Sequence, residues 1–518
     1  MSSYRVWGWG SASDEPTAAS LTELAPFVAA TTGVAVQEPE TPCPDVDLPA
    51  GERRLPSALA HLGSDDPVDR ARHGLGRAYR DLIRGIRSEL VDVPDLVVRP
   101  TSEQDVVDLL DWASESDVPV VPFGGGSSVT GGVEPRGLRG AASLDLERLS
   151  GLVEVDAASR AVRLRAGTFG PAAEEALKPH DLTLRFYPQS FERSTVGGWL
   201  ATRAAGHFST RLTHIDDLVE SVRAVTPVGV WESRRLPGSG AGPSPDRLLL
   251  GSEGSLGVIT EAWLRAQPRP AHRWSATFAA PSFALGGQAV RALVQSGLMP
   301  ATCRLIDPVE AALSGTLTTG EAALVLGLES LALPLEPEAA LAKELCLDHG
   351  LRLVEEGMRG EAASTWRSTF VRAPYLRETL VLLGVLVETF ETAVTWDRFD
   401  SLVADVTGSV SSALADICGG GSVGCRLTHV YPDGAAPYFT VIAPARRGSE
   451  IAQWDEVKAA AGDAILRAGG TITHHHAVGR DHRPWYDQQR PDAFATALRG
   501  AKAAVDPRGV LNPGILLD

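Results

Sequence analysis

No stretch of this chain is apolar for long enough to cross a membrane. The longest apolar run, Leu380 to Val387, has eight residues with Gly384 inside it, against the ~20 that a spanning helix needs. The opening MSSYRVWGWG lacks a basic start followed by an apolar stretch, so no secretory signal is expected. The closing Ile-Leu-Leu-Asp is not the Ser-Lys-Leu peroxisomal address. Cysteine is scarce: five residues, an odd number, with no C-x-x-C pair. That argues against a disulfide scaffold or a thiolate zinc site and makes a reducing cytosol the natural compartment. Lysine is almost missing, with 4 of the 48 basic residues, the others being arginine. A net charge of −17 excludes a non-specific nucleic-acid binder, which needs a basic footprint. The remaining composition is ordinary: 518 residues, 44% hydrophobic and 22% charged. The expectation is a cytoplasmic protein, peripheral to a membrane at most, with apolar material for two to four units at roughly 150 residues each.

Residues 1–68 read as an N-terminal arm. An aromatic, glycine-bearing start precedes a helical stretch near Leu21–Thr31, and Pro42, Pro44 and Pro49 keep the following segment extended. Leu96–Val98 reads as a short buried strand closed by Pro100. Thr101 or Ser102 can cap a helix whose apolar face is Val106, Val107, Leu109, Leu110 and Ala113. Val118–Val121 is a second strand, running straight into Phe123-Gly124-Gly125-Gly126-Ser127-Ser128. Such a strand, helix, strand unit delivering a glycine loop is an α/β signature. Further strands are expected at Ala142–Leu146, Leu152–Asp156 and Ala161–Ala166, and a hairpin turning at Pro227. Pro268 and Pro270 mark a boundary. Strand-like and amphipathic stretches then alternate to about residue 470 as a separate α+β unit. The chain closes with a strand at Thr471–His475 and a helix at Pro491–Val505.

Three glycine-rich loops fall within the first α/β segment. Consecutive glycines after Val121 let backbone N–H groups approach an anion closely, and Ser127 and Ser128 add donors, which makes a sound pyrophosphate cradle or a tight surface turn. The other two loops are Ser194-Thr195-Val196-Gly197-Gly198-Trp199 and Gly251-Ser252-Glu253-Gly254-Ser255-Leu256-Gly257. A G-x-G-x-x-G pattern at Gly419–Gly424 follows a helix and precedes a strand, the reverse of the dinucleotide-binding context, and is set aside.

In order and combination, VVRPTSEQDVVDLLDWA, PFGGGSSV, STVGGWLATRAAG and GSEGSLGVITEAWLR resemble the FAD-binding domain of the vanillyl-alcohol-oxidase/para-cresol-methylhydroxylase superfamily. The resemblance implies an α+β fold: an FAD-binding domain of two α+β subdomains (69–270), a separate α+β substrate or cap domain (271–470), and a C-terminal segment with a returning helix closing the active site (471–518). It implies that non-covalently held FAD is lined by Pro122, Phe123, Gly124, Gly125, Gly126, Ser127 and Ser128 from the first loop. Gln189, Ser190, Ser194, Thr195 and Gly198 follow, then Thr202, Arg203, Ala204 and Ala205, and finally Glu253, Gly254, Ser255, Gly257, Val258 and Ile259.

A finer match rests on WGWG, CRLID around Arg304, YLRETL around Arg377, ETFETAVTWDRF, CRLTHVYPDGAAPYF around Tyr438 and GGTITHHHAVG. Together these are similar to the alkyldihydroxyacetonephosphate synthase family over nearly the whole chain. That family exchanges the acyl chain of acyl-dihydroxyacetone phosphate for a fatty alcohol through a flavin N5 adduct, without net redox. The resemblance implies a lipid-like or small-molecule substrate, a homodimer, and catalytic roles for Tyr438, His474, His475, His476, Arg377 and Arg304. The triplet also reads as a metal site, but that usually needs a further carboxylate or histidine, and no metal is expected. Tyr438 matches the family's proton-transferring tyrosine. A phenol of ordinary pKa near ~10 needs positive neighbours to act near neutrality, and the three histidines are expected to supply them. If the triplet lies on a strand, 474 and 476 share one face and 475 takes the other. The chain departs from the family at Arg185-Phe186-Tyr187-Pro188-Gln189-Ser190, where Phe186 stands in place of a histidine and can neither donate, accept nor carry a proton. The alternative is an FAD-linked oxidase or dehydrogenase of a 2-hydroxy acid, resembling glycolate and D-lactate dehydrogenases. Those carry a metal-binding G-H-x-G-D-G-N-x-H stretch, of which the region at His429 keeps one histidine.

Overall fold

A computed structural model describes residues 5–43, 45–208, 214–357 and 374–517; Pro44 therefore lies outside the described residues. The helix Glu103–Ser116 begins where expected: Ser102 caps it, accepting from the Asp105 amide, while Asp105 reaches back to the Ser102 amide as a capping box. Its buried residues Val106, Leu109, Leu110 and Ala113 pack on a four-stranded sheet. The order there is Gly63–Ser64, Leu96–Val98, Ala142–Asp145, Val120–Phe123, with the last three strands parallel. The C-terminal tail returns to this edge, the Val120 amide donating to Val510 and the Asn512 amide to Val120. A second, five-stranded antiparallel sheet runs Leu152–Asp156, Ala161–Arg165, Val258–Arg265, Val219–Thr226, Gly229–Glu232. Both sheets share one apolar core with Phe186 and Trp199.

The third sheet is antiparallel throughout. Its order is Arg352–Gly357, His272–Ala280, Ala322–Ser330, Thr302–Ile306, Ser422–Val430, Gly434–Pro444, Val385–Glu391, with the short Val394–Thr395 pairing beside Gly434–Pro444. Alternation along its strands separates two faces. Cys303, Leu305, Cys425, Leu427, Phe390, Phe439 and Val441 join a core with the helices Phe283–Gln295, Trp396–Cys418 and Glu450–Arg467. Arg304, Arg426, Thr428, Tyr438, Thr440 and Thr389 lie on the other face and look into a cavity.

The N-terminal arm binds the two halves together. Trp7 is buried in the core of the large sheet, with the Arg5 guanidinium 4.5 Å from its ring centroid. Arg5 pairs at 2.6 Å with Glu378, which also accepts the Trp9 amide. Beyond the helix Ala18–Thr32 the arm stays extended: the amides of Gln37 and Glu40 donate to Leu383 and Leu382, and that of Cys43 to Ile86.

The expected strand at Thr471–His475 is not formed. The Thr and Ile spacing there suggests a strand, but the Thr471 and Ile472 amides go to the Ala393 carbonyl and Gln489 Oε1, and those of His474 and His475 turn toward one buried carboxylate.

Candidate active site

A cavity of about 590 Å³ lies between the glycine-loop wall and the polar face of the large sheet. That volume is within the range of small-molecule and cofactor sites. Gly124, Gly125, Gly126, Ser127 and Ser128 line it, with Gln189, Ser190, Ser194, Thr195, Gly198, Thr202, Ala204 and Ala205.

The glycines are demanded by space. A methyl on Gly125 would overlap the Arg193 carbonyl oxygen, and Gly126 has a left-handed φ of +64° with Phe123 against it. The amides of Gly125, Gly126 and Ser127 donate to no other described residue, so they are free to meet an anion. A dinucleotide diphosphate fits this wall.

Nine of the expected cofactor residues do not line the cavity. Pro122 and Gly254 pack on each other, Phe123 lies 4.3 Å from the His73 ring, and Val258 and Ile259 belong to the core. Arg203 pairs at the surface with Asp216, and Ser255 and Gly257 are buried behind the wall. Glu253 anchors the chain elsewhere. Its carboxylate accepts the Val478 and Gly479 amides, and burial pushes its pKa up to about 7 against those hydrogen bonds.

On the sheet face, strand register brings three residues abreast. Tyr438 is the direct partner of Arg426 on one side and of Glu391 on the other. Tyr438 is 3% exposed, and burial raises its phenol above the ordinary value while Arg426 opposes the rise. Arg304 donates to the His207 carbonyl at 2.5 Å, yet its buried Nε and Nη1 have no hydrogen-bond partner among the described residues. Burial and the neighbouring Arg426 push Arg304 down to about 9. Arg377, on the helix spanning 374–382, donates to the Arg77 carbonyl and leaves its Nε unpartnered among the described residues. Both arginines line the cavity, with these unused donors buried beside it.

The histidine loop is set by Glu391, whose side chain is fully buried. Its carboxylate accepts the amides of His474 (2.6 Å), His475 (3.0 Å) and His476 (3.0 Å), and the Thr473 hydroxyl at 2.6 Å. Burial works against an ionised Glu391, but it is held well below the usual range, and with the imidazoles neutral it is the three amides and the Thr473 hydroxyl that favour its charge. This geometry corrects the strand-based pairing. His475 and His476 line the cavity, whereas His474 turns away to Tyr431 and His214, its Nε2 at 2.7 and 3.1 Å from them. It corrects the electrostatics too. Burial pushes His475 down to about 3 and His476 down to about 4, so both are neutral near pH 7 and bring no positive charge to Tyr438.

The cationic neighbour of Tyr438 is Arg426, whose Cζ is 3.9 Å from the ring centroid, a residue sequence reasoning passed over inside CRLTHVY. The signal was its register with Tyr438, which needs the hairpin to be recognised. His429 was also passed over as a site residue. It lines the cavity and its buried Nδ1 has no hydrogen-bond partner among the described residues. Ring nitrogens of His429, His474 and His475 lie within 4.8 Å of one another, close enough to hold a metal ion. Arg304 stands beside the cluster and adds to the depression of His429 and His475 that burial causes. Phe186 does not line the cavity: it is buried behind the wall against Trp199, ring centroids 5.2 Å apart. Arg185 pairs with Glu329 and Tyr187 packs on Phe191, so neither takes up a histidine's place on the cavity.

Comparison with known proteins agrees with this arrangement. Residues 94–233 match the family described as FAD binding domain, and residues 269–516 match FAD linked oxidases, C-terminal domain. The chain is 30% identical over 481 residues to alkyldihydroxyacetonephosphate synthase of Dictyostelium discoideum, covering 88% of this chain and 78% of the relative. It is 24% identical to glycolate oxidase subunit GlcD of Bacillus subtilis, covering 82% and 88% of the two chains. A solved alkyldihydroxyacetonephosphate synthase superposes with a TM-score of 0.83 at 25% identity, covering 99% of this chain and 98% of the other.

Two outcomes follow from the site's geometry. Gly125→Ala should leave the protein folded but without flavin, measured as loss of visible absorbance relative to protein; a variant as yellow as the parent would remove the loop from cofactor binding. The second concerns pH. Because the folded-state pKa values of His475 and His476 lie below the unfolded value of 6.5, their contribution is fully present above pH ~6.5 and is lost as pH falls toward about 3. Thermal melting from pH 7 to 4 should therefore fall less steeply in a His475→Gln, His476→Gln double variant than in the parent. Equal slopes would show that the imidazoles are not held neutral.

Proposed function

The chain belongs to the alkyldihydroxyacetonephosphate synthase family, and on that premise we propose that it is an FAD-dependent enzyme replacing the acyl chain of acyl-dihydroxyacetone phosphate with a fatty alcohol to form an ether bond. The observation that carries this reading is a single cavity whose lining joins three chemistries. The glycine cradle forms one wall, Tyr438 with His475, His476, Arg304 and Arg377 forms another, and apolar side chains extend it.

When bound, FAD supplies a ring nitrogen able to hold the substrate carbon while one oxygen substituent leaves and another enters. Gly124–Ser128 would hold its diphosphate through backbone amides. Arg304 and Arg377 have buried or cavity-facing donors without partners among the described residues, and a guanidinium fork suits the substrate's phosphate or the departing carboxylate. Tyr438 enters the cycle protonated, since burial raises its phenol. The neutral imidazoles of His475 and His476, pushed down to about 3 and 4, are weak bases that can accept a hydrogen bond beside the phenol, with the His476 ring centroid 5.5 Å from that of Tyr438. A protonated phenol at the cavity suits an exchange, because the leaving oxygen must not retain negative charge unaided.

Phe27, Val28, Leu313, Leu376 and Leu380 give the cavity an apolar arm. Phe27 and Leu376 are 65% and 54% exposed, which supports entry of a lipid chain from that side. Oxidation of a 2-hydroxy acid is the weaker reading: its small polar substrate has no use for this arm, and the second histidine of its metal stretch is missing.

Mixing the flavin-loaded protein without oxygen tests the choice. Acyl-dihydroxyacetone phosphate with a fatty alcohol should yield ether product and free fatty acid with no lasting loss of flavin colour. Lasting bleaching by a 2-hydroxy acid, without exchange, would replace the proposal. Tyr438→Phe should keep its flavin and lose exchange by about 10²-fold or more; unimpaired turnover would remove Tyr438 from the mechanism.

A further inference from the structure

The charged groups around Tyr438 can be followed element by element. The adjacent strand Val385–Glu391 contributes Glu391, but that carboxylate is committed to the histidine loop, and Thr389, whose hydroxyl bonds the phenol. The loop contributes His475 and His476, both neutral. The helix at 374–382 contributes Arg377, bound to the Arg77 carbonyl. Strand Ser422–Val430 contributes Arg426, whose guanidinium lies on the face of the ring. Helix Pro308–Ser314 contributes Glu310, with Oε2 2.7 Å from Arg426 Nη1.

The stack is built rather than incidental. Arg426 and Glu310 are both buried, and both line the cavity. The second Arg426 contact is the Thr440 hydroxyl at 3.4 Å, so Glu310 is what fixes the guanidinium in place. Arg426 Nε and Glu310 Oε1 have no hydrogen-bond partner among the described residues. The pair is therefore not internally satisfied, and Arg426 retains capacity to respond to charge appearing beneath it.

We propose that Arg426, oriented by Glu310, is a positioning residue that acts through Tyr438, stacking on the ring and stabilising the negative charge left on the phenol oxygen when its proton departs. This rests on Tyr438 being the proton-transfer group. In that step the Tyr438 O–H bond breaks, the proton passes to the substrate's leaving oxygen, and the electron pair stays on the phenolate. No group is oxidised or reduced. A cation over a desolvated aromatic face is favourable and grows more so as that ring becomes anionic. Glu310 acts in opposition, tempering the charge it positions.

The test is exchange turnover against pH, measured on flavin-loaded parent, Arg426→Gln, Arg426→Lys, Glu310→Gln and Tyr438→Phe. Activity should fall at alkaline pH as the phenol ionises. Arg426→Gln should lower kcat by about tenfold or more with little change in KM, and move the alkaline limb to higher pH. Arg426→Lys should recover part of the loss. Glu310→Gln keeps an oxygen to orient the guanidinium but removes the counter-charge, so it should move the limb the other way. Opposite displacements are not what loosened packing produces. A limb in Arg426→Gln or Glu310→Gln that coincides with the parent's would overturn the assignment; should Arg426→Gln fail to fold, Glu310→Gln decides alone. If Tyr438→Phe itself keeps full turnover, the underlying reading has failed. If it is inactive while the Arg426 and Glu310 profiles match the parent, the role given to Arg426 has failed and the reading of Tyr438 stands.

Discussion

Two buried carboxylates hold the histidine segment that borders the cavity, and the proposed chemistry depends on them. From Thr473 to Gly479 the chain has neither helix nor strand. Left to itself, such a segment would present its amides to water. Glu391 takes the amides of residues 474 to 476 from the sheet side, and Glu253 takes those of 478 and 479 from the FAD-binding side. The two anchors differ in state: Glu391 is held ionised, whereas burial raises Glu253 to about 7. Because Glu391 is the register partner of Tyr438, anchoring the loop also fixes His475 and His476 beside the phenol. The stitch continues through the Thr130 carbonyl, which accepts the Arg480 and Asp481 amides just beyond the glycine cradle.

Burial then decides what each group can do. Desolvation disfavours charge on both the phenol and the imidazoles, so they settle as neutral donor and neutral acceptors. Permanent charge at the sheet face comes from arginine, which does not give up its proton near neutrality even where burial pushes Arg304 down to about 9. On the proposed reading the site separates two duties: the proton-bearing phenol and its imidazole neighbours are neutral, and the residues offered to anions are cationic. The arm contributes from outside, because Arg5 and the Trp9 amide both bind Glu378, the residue after Arg377 in the same helix.

Much of this was legible in the sequence because local signals and global fold agreed. The helix cap at Thr101 or Ser102, the strand at Leu96–Val98 and the triple glycine each carry a local physical reason, and the structure has a cap at Ser102, the strand and the glycine loop. The histidine loop was not legible as a loop. Its Thr and Ile pattern satisfies a strand, and only a carboxylate more than 80 residues away overrides it. The charge state of the triplet was hidden for the same reason: the sequence shows three basic side chains, and desolvation that neutralises them belongs to the folded state. Arg426 escaped notice because its meaning lies in cross-strand register and not in its own motif. Glu253 matched a cofactor motif, but its carboxylate reaches the histidine segment. The position of Phe186 lies in the core, so its lack of a titratable group leaves the cavity's proton chemistry to other residues.

The most direct measurement of the central claim is exchange turnover in flavin-loaded Glu391→Gln, which preserves the shape of the side chain but replaces one acceptor oxygen with a donor and removes the charge. The account predicts a variant that remains yellow yet exchanges about 10²-fold more slowly, because the histidines are no longer fixed beside the phenol. Parental turnover in that variant would contradict it.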